Sequence, residues 1–435
     1  MLVVVDTDES IHGLGEVGIR SRQRAVAGGL EHLAELIVGE VPRRIEHLWQ
    51  VMFRRGFFPA DRILGAAIAA VDVALWDIRG KALGVPVHEL LGGRVRDHVP
   101  AYVYVGDGYH DRAWFLDRCR DLVAQGRRHL RFASPHDADG TLNARCCLRD
   151  AIDLFHQVRD AVGEEMELIL DVHTRLDPSE ALTPCREIAA ARPYFVEDPL
   201  RCENPDSYRM LRARTGVPPA AGEQYGSAWE FRTLIDDDLI DFARVDVGVA
   251  AGLTEAKRIA AMAETHHIKL ATHNPLGPVT AASSLQLNPA CPNVAIQEHQ
   301  TDPEPAIAGL FTARPTISPG WVELSELPAP ASAPASTGGR HAGTSRDSRA
   351  PALAHGGRGV HQLVARQGRS AARARHRPCG IEGRVQPLCP IRGRRTRIGS
   401  FPDNPCACRR SSYPRAMLKT VSISPSHRAT SDGSP

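Results

Sequence analysis

The chain of 435 residues is long enough for one large α/β domain and a smaller one. Its formal charge of +2 conceals an asymmetry, because residues 1–330 carry 34 Lys and Arg against 47 Asp and Glu, whereas residues 331–435 carry 19 against 4. No apolar run approaches the ~20 residues that span a bilayer, so we expect no membrane partner. Six of the ten cysteines lie in the acidic part without zinc-site spacing, and no secretory signal precedes them. These features predict a reduced, cytoplasmic protein.

A glycine-rich stretch near the start, Gly13 to Gly18 ("GLGEVG"), matches the G-x-G-x-x-G pattern of dinucleotide-binding turns. It follows a predicted strand within "LVVVDTDES". A dinucleotide site would then need a second parallel strand that ends in an acid ~20 residues later. Two helix-like stretches follow instead, "RQRAVAGGLEHLAELIVG" and "VPRRIEHLWQVMF". The sequence therefore argues against a nucleotide site.

Polar residues follow short apolar runs at a regular interval through the middle of the chain. They are Asp171, Glu197, Glu223, Asp246, His273 and Glu298, with gaps of 26, 26, 23, 27 and 25 residues. Helix-like stretches such as "TEAKRIAAMAETHH" lie between them, and two further strands are predicted at 99–105 and 129–134. Eight strands that alternate with helices predict a (β/α) barrel. The polar residues would then lie at its C-terminal face, where such barrels have their active sites.

Three of these residues have the chemistry of a metal site. Asp171, Glu197 and Glu223 end consecutive predicted strands, so their carboxylates should converge. Three uncompensated anions would repel one another unless a cation lay among them, and hard oxygen ligands with open positions suit Mg²⁺. Taken singly, each acid could instead be a solvated loop residue or a capping residue. Their constant spacing favours a shared site.

Two histidines flank the predicted metal site. Asp171 and His173 are two residues apart after the apolar run "MELIL", so in a strand their side chains would lie side by side on one face. His273 ends the seventh predicted strand and Asp246 the sixth, which would let the carboxylate orient the imidazole and raise its basicity. The alternative for either histidine is a core residue bonded to a backbone carbonyl.

Several motifs in combination resemble the enolase superfamily, mandelate racemase subgroup, and most closely its sugar-acid dehydratases of the galactonate dehydratase type. They are "DVHTRL", "YFVEDPL", "AAGEQY", "GLTEAKRIAAMAE", "HNPLGPV" and, at 74–93, "ALWDIRGKALGVPVHELLGG". The resemblance runs from about residue 2 to about residue 325. It implies an α/β fold with a (β/α)8-type barrel, in detail (β/α)7β, and an α+β N-terminal capping domain. Loops of that domain, near 13–18 and 53–62, would close over the barrel and choose the substrate.

The resemblance also implies a ligand set and a substrate class. Asp171, Glu197 and Glu223 would bind Mg²⁺, which would hold the substrate carboxylate and stabilise an enediolate. The substrate would be a small sugar acid, an aldonate such as galactonate. The other expected partners are further copies of the chain, with no role for nucleic acid.

By the same resemblance, the remaining strand-end residues carry out an elimination. His273, paired with Asp246, would remove the proton α to the carboxylate, and His173 would protonate the departing β-hydroxyl. Glu298 would hydrogen-bond to the intermediate. The expected activity is that of a hydro-lyase, with a 2-keto-3-deoxy acid as the product.

One position departs from the racemising relatives, many of which carry Lys-x-Lys at the end of the second barrel strand. The corresponding residues here are Arg131, Phe132 and Ala133. Because arginine stays protonated near neutral pH and is a poor base, the alternative activity, that of a racemase or epimerase, loses support. Arg131 is instead expected to contact an anionic group of the substrate, with a structural ion pair as the alternative.

The predicted domains are a capping domain at 1–97, a barrel at 98–327 and a tail at 328–435. The resemblance implies that the capping domain lacks the first strand found in relatives. After "ISPGWVELSEL" the chain becomes rich in Arg, Ala, Pro, Gly and Ser, without helical or strand period. We expect a disordered basic tail that derives from a shifted reading frame or a misjudged gene end, with a genuine basic disordered extension as the alternative. The alternative from another functional class is a catalytically impaired barrel whose basic tail binds nucleic acid.

Overall fold

The structure, a computed structural model, describes residues 1–133, 144–275, 277–299, 317–324 and 416–424. Within these ranges, no helix combines the length and the apolar character that crossing a membrane requires.

The N-terminal part is an antiparallel hairpin packed on helices. The hairpin consists of β1 (Leu2–Thr7) and β2 (His12–Glu16). The helices are α1 (Gln23–Ile37), α2 (Ile45–Arg54), α3 (Arg62–Leu83) and the short α4 (Val87–Leu90). The long helix α3 begins where the Asp61 side chain accepts a hydrogen bond from Leu64 N, and it ends at Gly84 in the left-handed conformation.

The glycine-rich stretch serves packing. A Cβ atom on Gly13 would lie 1.9 Å from the Ala74 carbonyl oxygen, and one on Gly15 would lie 1.8 Å from that of Ala70. Glycine at both positions therefore lets β2 contact the backbone of α3 directly. Because β1 and β2 are antiparallel, the stretch is not the strand-to-helix turn of a dinucleotide site, as the sequence indicated.

The barrel consists, in the described chain, of eight parallel strands that alternate with seven helices. The strands are β3 (His98–Tyr104), β4 (His129–Ala133), β5 (Glu167–Asp171), β6 (Phe195–Glu197), β7 (Pro219–Ala221), β8 (Phe242–Ala243), β9 (Lys269–Thr272) and β10 (Val294–Glu298). The helices are α5 (Arg112–Ala124), α6 (Ala144–Val162), α7 (Pro178–Glu187), α8 (Ser207–Arg214), α9 (Ala228–Asp236), α10 (Leu253–Thr265) and α11 (Pro278–Leu287). Pairing of β10 with β3 closes the ring. The predicted (β/α)7β barrel with a capping domain is confirmed.

Side chains fill the inside of the barrel, as expected for a ring of eight strands. Seven strands each contribute one residue to an inner cluster: Tyr102, Ile169, Phe195, Ala220, Phe242, Ala271 and Ile296. A second, larger cluster lies between the strands and the surrounding helices. The C-terminal face of the barrel therefore lies on a packed interior.

A hairpin pairs with the N-terminal residues of β3. Its strands are β11 (Ile317–Ser318) and β12 (Trp321–Glu323), and β12 runs antiparallel to β3 with Val322 opposite Val99. This hairpin lies within "ISPGWVELSEL", the stretch after which the composition of the chain changes.

The last described strand, β13 (Leu418–Ser424), belongs to the capping domain. It pairs antiparallel with β1, so the sheet order is β13-β1-β2. The expectation that residues 328–435 are disordered is wrong for this segment, because Leu418 and Val421 are buried in the capping core. Residues 328–415 and 425–435, to which the same expectation applied, lie outside the described residues.

Candidate active site

The polar residues predicted at strand ends lie at the C-terminal ends of the barrel strands. Asp171, Glu197 and Glu298 are the last residues of β5, β6 and β10. Glu223, Asp246 and His273 follow β7, β8 and β9 by one to three residues. Parallel strands of a closed barrel present these ends to one mouth, so one face of the fold collects all six side chains.

His173 lies beside Asp171, but the strand does not place it there. Strand β5 ends at Asp171, and His173 has φ of 54°. The turn is held because Val172 N donates to the Glu197 carbonyl and Thr174 N donates to the Asp198 carbonyl. His173 N then donates to Asp171 Oδ1 (2.8 Å), while its Nε2 lies 2.8 Å from Asp171 Oδ2. The predicted proximity is thus achieved by a left-handed turn rather than by the period of a strand.

Three carboxylates lie close enough to hold one metal ion. Oxygens of Glu197, Asp198 and Glu223 all lie within 4.8 Å of one another. The predicted set contained Asp171 in place of Asp198. Asp198 immediately follows β6 with φ of 38°, and this conformation turns it toward the same mouth, where its Oδ1 accepts a hydrogen bond from Gly222 N (3.3 Å).

Arg131 occupies the space beside Asp171. Its guanidinium forms a close ion pair with Asp171 Oδ2, lies 3.1 Å from His173 Nε2, and has its Nε 3.7 Å from Glu197 Oε2. The same guanidinium stacks on the ring of Tyr104, 4.9 Å from its centroid. Of the two expectations for Arg131, the structure shows the internal ion pair.

A second buried arginine joins two strand-end acids. Arg244 Nη2 lies 2.5 Å from Glu197 Oε1 and 3.1 Å from Glu298 Oε2, and its Nη1 donates to the Ala271 carbonyl (2.9 Å). The side chain is fully buried and packs over the ring of Tyr102. A buried charge needs compensating partners, and here two carboxylates and a carbonyl provide them for the Nη atoms.

His273 forms a pair with the carboxylate of Asp246. Its Nδ1 lies 2.7 Å from Asp246 Oδ2, and Asp246 Oδ1 accepts from Gly248 N (2.7 Å), which fixes the carboxylate. With Nδ1 engaged, Nε2 faces the mouth of the barrel, 3.1 Å from Glu223 Oε2 and 3.7 Å from Glu298 Oε2. The predicted pairing of His273 with Asp246 is present.

The charges shift the pKa values of the two histidines in opposite directions. Burial alone would lower the pKa of His273, but Glu223, Glu298 and the bond to Asp246 raise it to about 9. Burial and the neighbouring Arg131 lower the pKa of His173 to about 4. Burial would raise the pKa of Glu298, yet His273, Arg131 and Arg244 hold it at about 2. The His273 side of the mouth therefore favours a proton, and the His173 side favours its loss.

The carboxylate group fits a cation on chemical grounds. In the described part of the chain, Glu197 Oε2, Asp198 Oδ2 and Glu223 Oε2 are buried and accept no hydrogen bond. Burial, then Glu223 and Glu197, raise the pKa of Asp198 well above its usual range, because the anions repel. Oxygen ligands of this kind suit Mg²⁺. Glu197 and Glu223 would hold the ion, with Asp171 or Asp198 as the third ligand.

Two family models together match most of the barrel and capping regions. Residues 1–92 match the mandelate racemase / muconate lactonizing enzyme N-terminal domain, and residues 114–329 match the enolase C-terminal domain-like family. The chain therefore belongs to the mandelate racemase/muconate lactonizing enzyme family of the enolase superfamily, a superfamily of enzymes.

Named relatives and solved structures agree with this assignment. The chain is 38% identical over 299 residues to a D-galactonate dehydratase of Verminephrobacter eiseniae, an alignment that covers 68% of this chain and 77% of that protein. It is 37% identical over 304 residues to a D-galactonate dehydratase of Pectobacterium atrosepticum, with the same coverage. An enolase from Pantoea ananatis solved with D-gluconate and Mg has a TM-score of 0.69 at 26% identity, covering 76% of this chain and 92% of its own. An enolase superfamily member from Salmonella Typhimurium has a TM-score of 0.71 at 26% identity, covering 77% and 95%.

Proposed function

We propose that the chain is a Mg²⁺-dependent hydro-lyase that dehydrates a sugar acid of the aldonate class, such as galactonate, to a 2-keto-3-deoxy acid. The observation that carries the proposal is the placement of His173 and His273 after β5 and β9. These are the third and seventh of eight strands, so the two imidazoles face each other across the barrel mouth with the carboxylates between them. A general base and a general acid on opposite sides of one substrate are what an elimination requires.

In the proposed reaction His273 is the base. Asp246 holds Nδ1, so Nε2, which faces the barrel mouth, accepts the proton from the carbon α to the substrate carboxylate. The raised pKa of His273 makes it a strong base once deprotonated. A divalent cation on Glu197 and Glu223 would supply Lewis-acid stabilisation of the charge that develops on the carboxylate. Glu298, held ionised by Arg244, would accept a hydrogen bond from the substrate.

His173 is the proposed acid. In its protonated form, which the lowered pKa makes a strong acid, it gives a proton to the β-hydroxyl as the carbon–oxygen bond breaks. One water leaves and an enol remains, which tautomerises to the 2-keto-3-deoxy acid. The orientation of His173 is set by its backbone and ring contacts with Asp171. Arg131, already bound to Asp171, would bind an anionic or hydroxyl group of the substrate on this side.

Two variants test the separate roles. His273→Asn should stop exchange of the substrate α-proton with D₂O, whereas His173→Asn should block loss of the β-hydroxyl while some exchange continues. The wild-type substrate is first found by screening a library of sugar acids with Mg²⁺ for 2-keto-3-deoxy products. His267→Asn is the control, because His267 is an exposed residue before β9, at the opposite end of that strand from His273. Dehydration at the wild-type rate by both active-site variants would refute the assigned roles.

The second candidate is epimerisation at the same carbon. It is favoured by the lowered pKa of His173, which leaves that imidazole neutral near pH 7 and thus able to accept a proton from the opposite face. The same D₂O experiment separates the two activities. Solvent deuterium in an inverted sugar acid without a 2-keto product would support the epimerase and exclude the dehydratase.

A further inference from the structure

The outer edge of β1 is occupied by a segment from a distant part of the sequence. Register pairs run from Leu2 opposite Ser424 to Asp6 opposite Thr420, so the ladder extends along almost the whole of β1. Thr420 Oγ1 also donates to Asp6 Oδ2 (2.9 Å). With β2 on its other side, β1 is the central strand of this sheet. An unpaired edge of this length would otherwise present free backbone donors and acceptors.

The segment is fixed at its start by four hydrogen bonds, three between backbone groups and one to a side chain. Met417 N donates to Asp8 Oδ1 and Asp8 N donates to the Met417 carbonyl. Leu418 N donates to the Glu40 carbonyl, and Gly39 N donates to the Leu418 carbonyl. The turn after α1 and the end of β1 therefore form the two walls of a groove that receives residues 417 and 418.

Two side chains anchor the segment in the capping core. Leu418 is 2% exposed and Val421 is 3% exposed, and both belong to the cluster that contains Val3, Val5 and Ile37. Met417 and Lys419, the residues on either side of Leu418, are exposed. The combination of main-chain ladder and side-chain pockets is that of β-strand addition to a sheet edge.

We propose that the β1 edge and the turn after α1 form a binding site for an extended peptide, and that its occupant is residues 416–424 of the same chain. No short turn joins β13 to β1, its partner in the sheet, because residues 8–417 lie between the two strands. The ladder is therefore held by its own contacts. Loop closure becomes only slowly more costly with length, so a separate peptide of the same sequence can replace the tethered one.

The first experiment disrupts one anchor in the full-length chain. Leu418→Asp would place a charge in the capping core, so the segment should leave and the β1 amides should exchange with D₂O at least tenfold faster. Met417→Asp adds the same charge at a neighbouring residue that is 41% exposed, and it should leave exchange unchanged. Equal exchange of β1 in Leu418→Asp and wild type would overturn the proposal.

The second experiment supplies the strand from outside. A fluorescent peptide of residues 414–426 should bind full-length Leu418→Asp, whose groove is vacant, and should restore protection of β1. The wild-type chain should bind this peptide at least tenfold more weakly because its groove is occupied. The peptide carrying Leu418→Asp should not bind. Absence of binding by the wild-type peptide to the Leu418→Asp chain, with the barrel folded by circular dichroism, would contradict a peptide site.

A cross-link keeps the proposal testable should Leu418→Asp fail to fold. Val4 and Ser422 are directly opposite in the ladder, so Val4→Cys with Ser422→Cys should form a disulfide within one chain on mild oxidation and raise the Tm. Peptide mapping identifies the bond. If it forms only between chains, when the two single-cysteine variants are mixed, the occupant is a second copy and the assignment to the same chain is wrong.

Discussion

At the scale of single residues, two carboxylates are candidates for the third metal ligand. Asp171 is bound to Arg131, whereas Asp198 lies with Glu197 and Glu223 in one metal-sized group. The family resemblance implies Asp171, which must then exchange Arg131 for the ion. The geometry alone favours Asp198.

Comparison of two amide variants decides between these ligands. We expect Asp171→Asn to weaken Mg²⁺ binding by at least tenfold in titration calorimetry, because a neutral amide is a poorer ligand for a hard cation. Asp198→Asn should bind within a fewfold of wild type, since one carboxylate oxygen of Asp198 already accepts a bond from Gly222. Glu203→Gln, an exposed acid, is the control. The opposite order would make Asp198 the ligand.

A second prediction concerns Arg244. Replacing it by Gln leaves Glu197 and Glu298 buried without their cation, which should cost about 3–5 kcal/mol of unfolding free energy. Mg²⁺ should raise the Tm of Arg244→Gln more than that of wild type, because the ion can then balance the same carboxylates. Arg212→Gln breaks an exposed pair with Asp241 and should cost less than ~1 kcal/mol. Equal stability of the two variants in urea titrations would show that Arg244 does not have this role.

The sequence predicted most of these residues, and those it missed have physical explanations. The spacing argument identifies only the polar residue that follows each apolar run. It found Asp246 after "LIDFARV" and overlooked Arg244, which lies inside that run. In a continuous strand, the consecutive residues Glu197 and Asp198 would point to opposite faces. Asp198 points to the same mouth because the strand stops at Glu197 and the backbone turns. Local pattern does not encode either contact.

At the scale of elements, one buried acid joins the capping domain to the barrel. Asp72, in α3, accepts hydrogen bonds from Thr254 N (3.0 Å) and Thr254 Oγ1 (2.6 Å) at the start of α10. Burial, opposed by these bonds, raises the pKa of Asp72 to about 7 from 3.8. A raised carboxyl pKa means that the native state holds a proton that the unfolded chain has released.

The stability that Asp72 contributes should therefore fall as the pH rises. Between pH 3.8 and about 7 the native state binds more protons at Asp72 than the unfolded state does, so the stability from this group falls with increasing pH. Each unit of pKa shift corresponds to roughly 1.4 kcal/mol. Asp72→Asn should remove that slope, measured as the difference in urea unfolding free energy from wild type across pH 4–7. Asp61→Asn, at the exposed start of the same helix, should keep the wild-type slope; an unchanged slope in Asp72→Asn would contradict the assignment.

The elements themselves were predictable where their signal is local. All eight barrel strands lie where the apolar runs placed them, and the helices fill the intervals. Strand β13 was missed because its partner, β1, lies at the other end of the sequence, and "LKTVSIS" is a short run within an otherwise polar, basic region. Only tertiary contact makes it a strand.

At the scale of the whole molecule, the capping domain and the barrel are joined by several buried contacts. Trp49 Nε1 donates to the Ala251 carbonyl (2.9 Å), and Glu16 Oε2 accepts from Val279 N and Thr280 N at the start of α11. Helix α11 follows His273 in the chain, so Glu16 connects the β2 sheet to the segment that carries the proposed base.

We expect these contacts to make unfolding of the two parts cooperative. Calorimetry of the full chain should show one unfolding transition for both parts. The hydrogen-exchange rates of the β2 and β9 amides should become equal near the midpoint of that transition. Glu16→Gln would remove a charge that caps α11 and should lower the Tm without separating the parts. Two resolved transitions in the wild type, with β2 exchanging before β9, would show that the capping domain unfolds independently.

The position of β13 has a consequence for synthesis. A ribosome delivers β1 and β2 first and β13 about 400 residues later, which at ~5–20 residues per second is a delay of tens of seconds. Throughout that interval the barrel can form, while the β1 edge stays open to any extended chain nearby. The nascent protein therefore has an aggregation-prone period that ends only when β13 emerges, and slow translation through residues 325–415 would lengthen it.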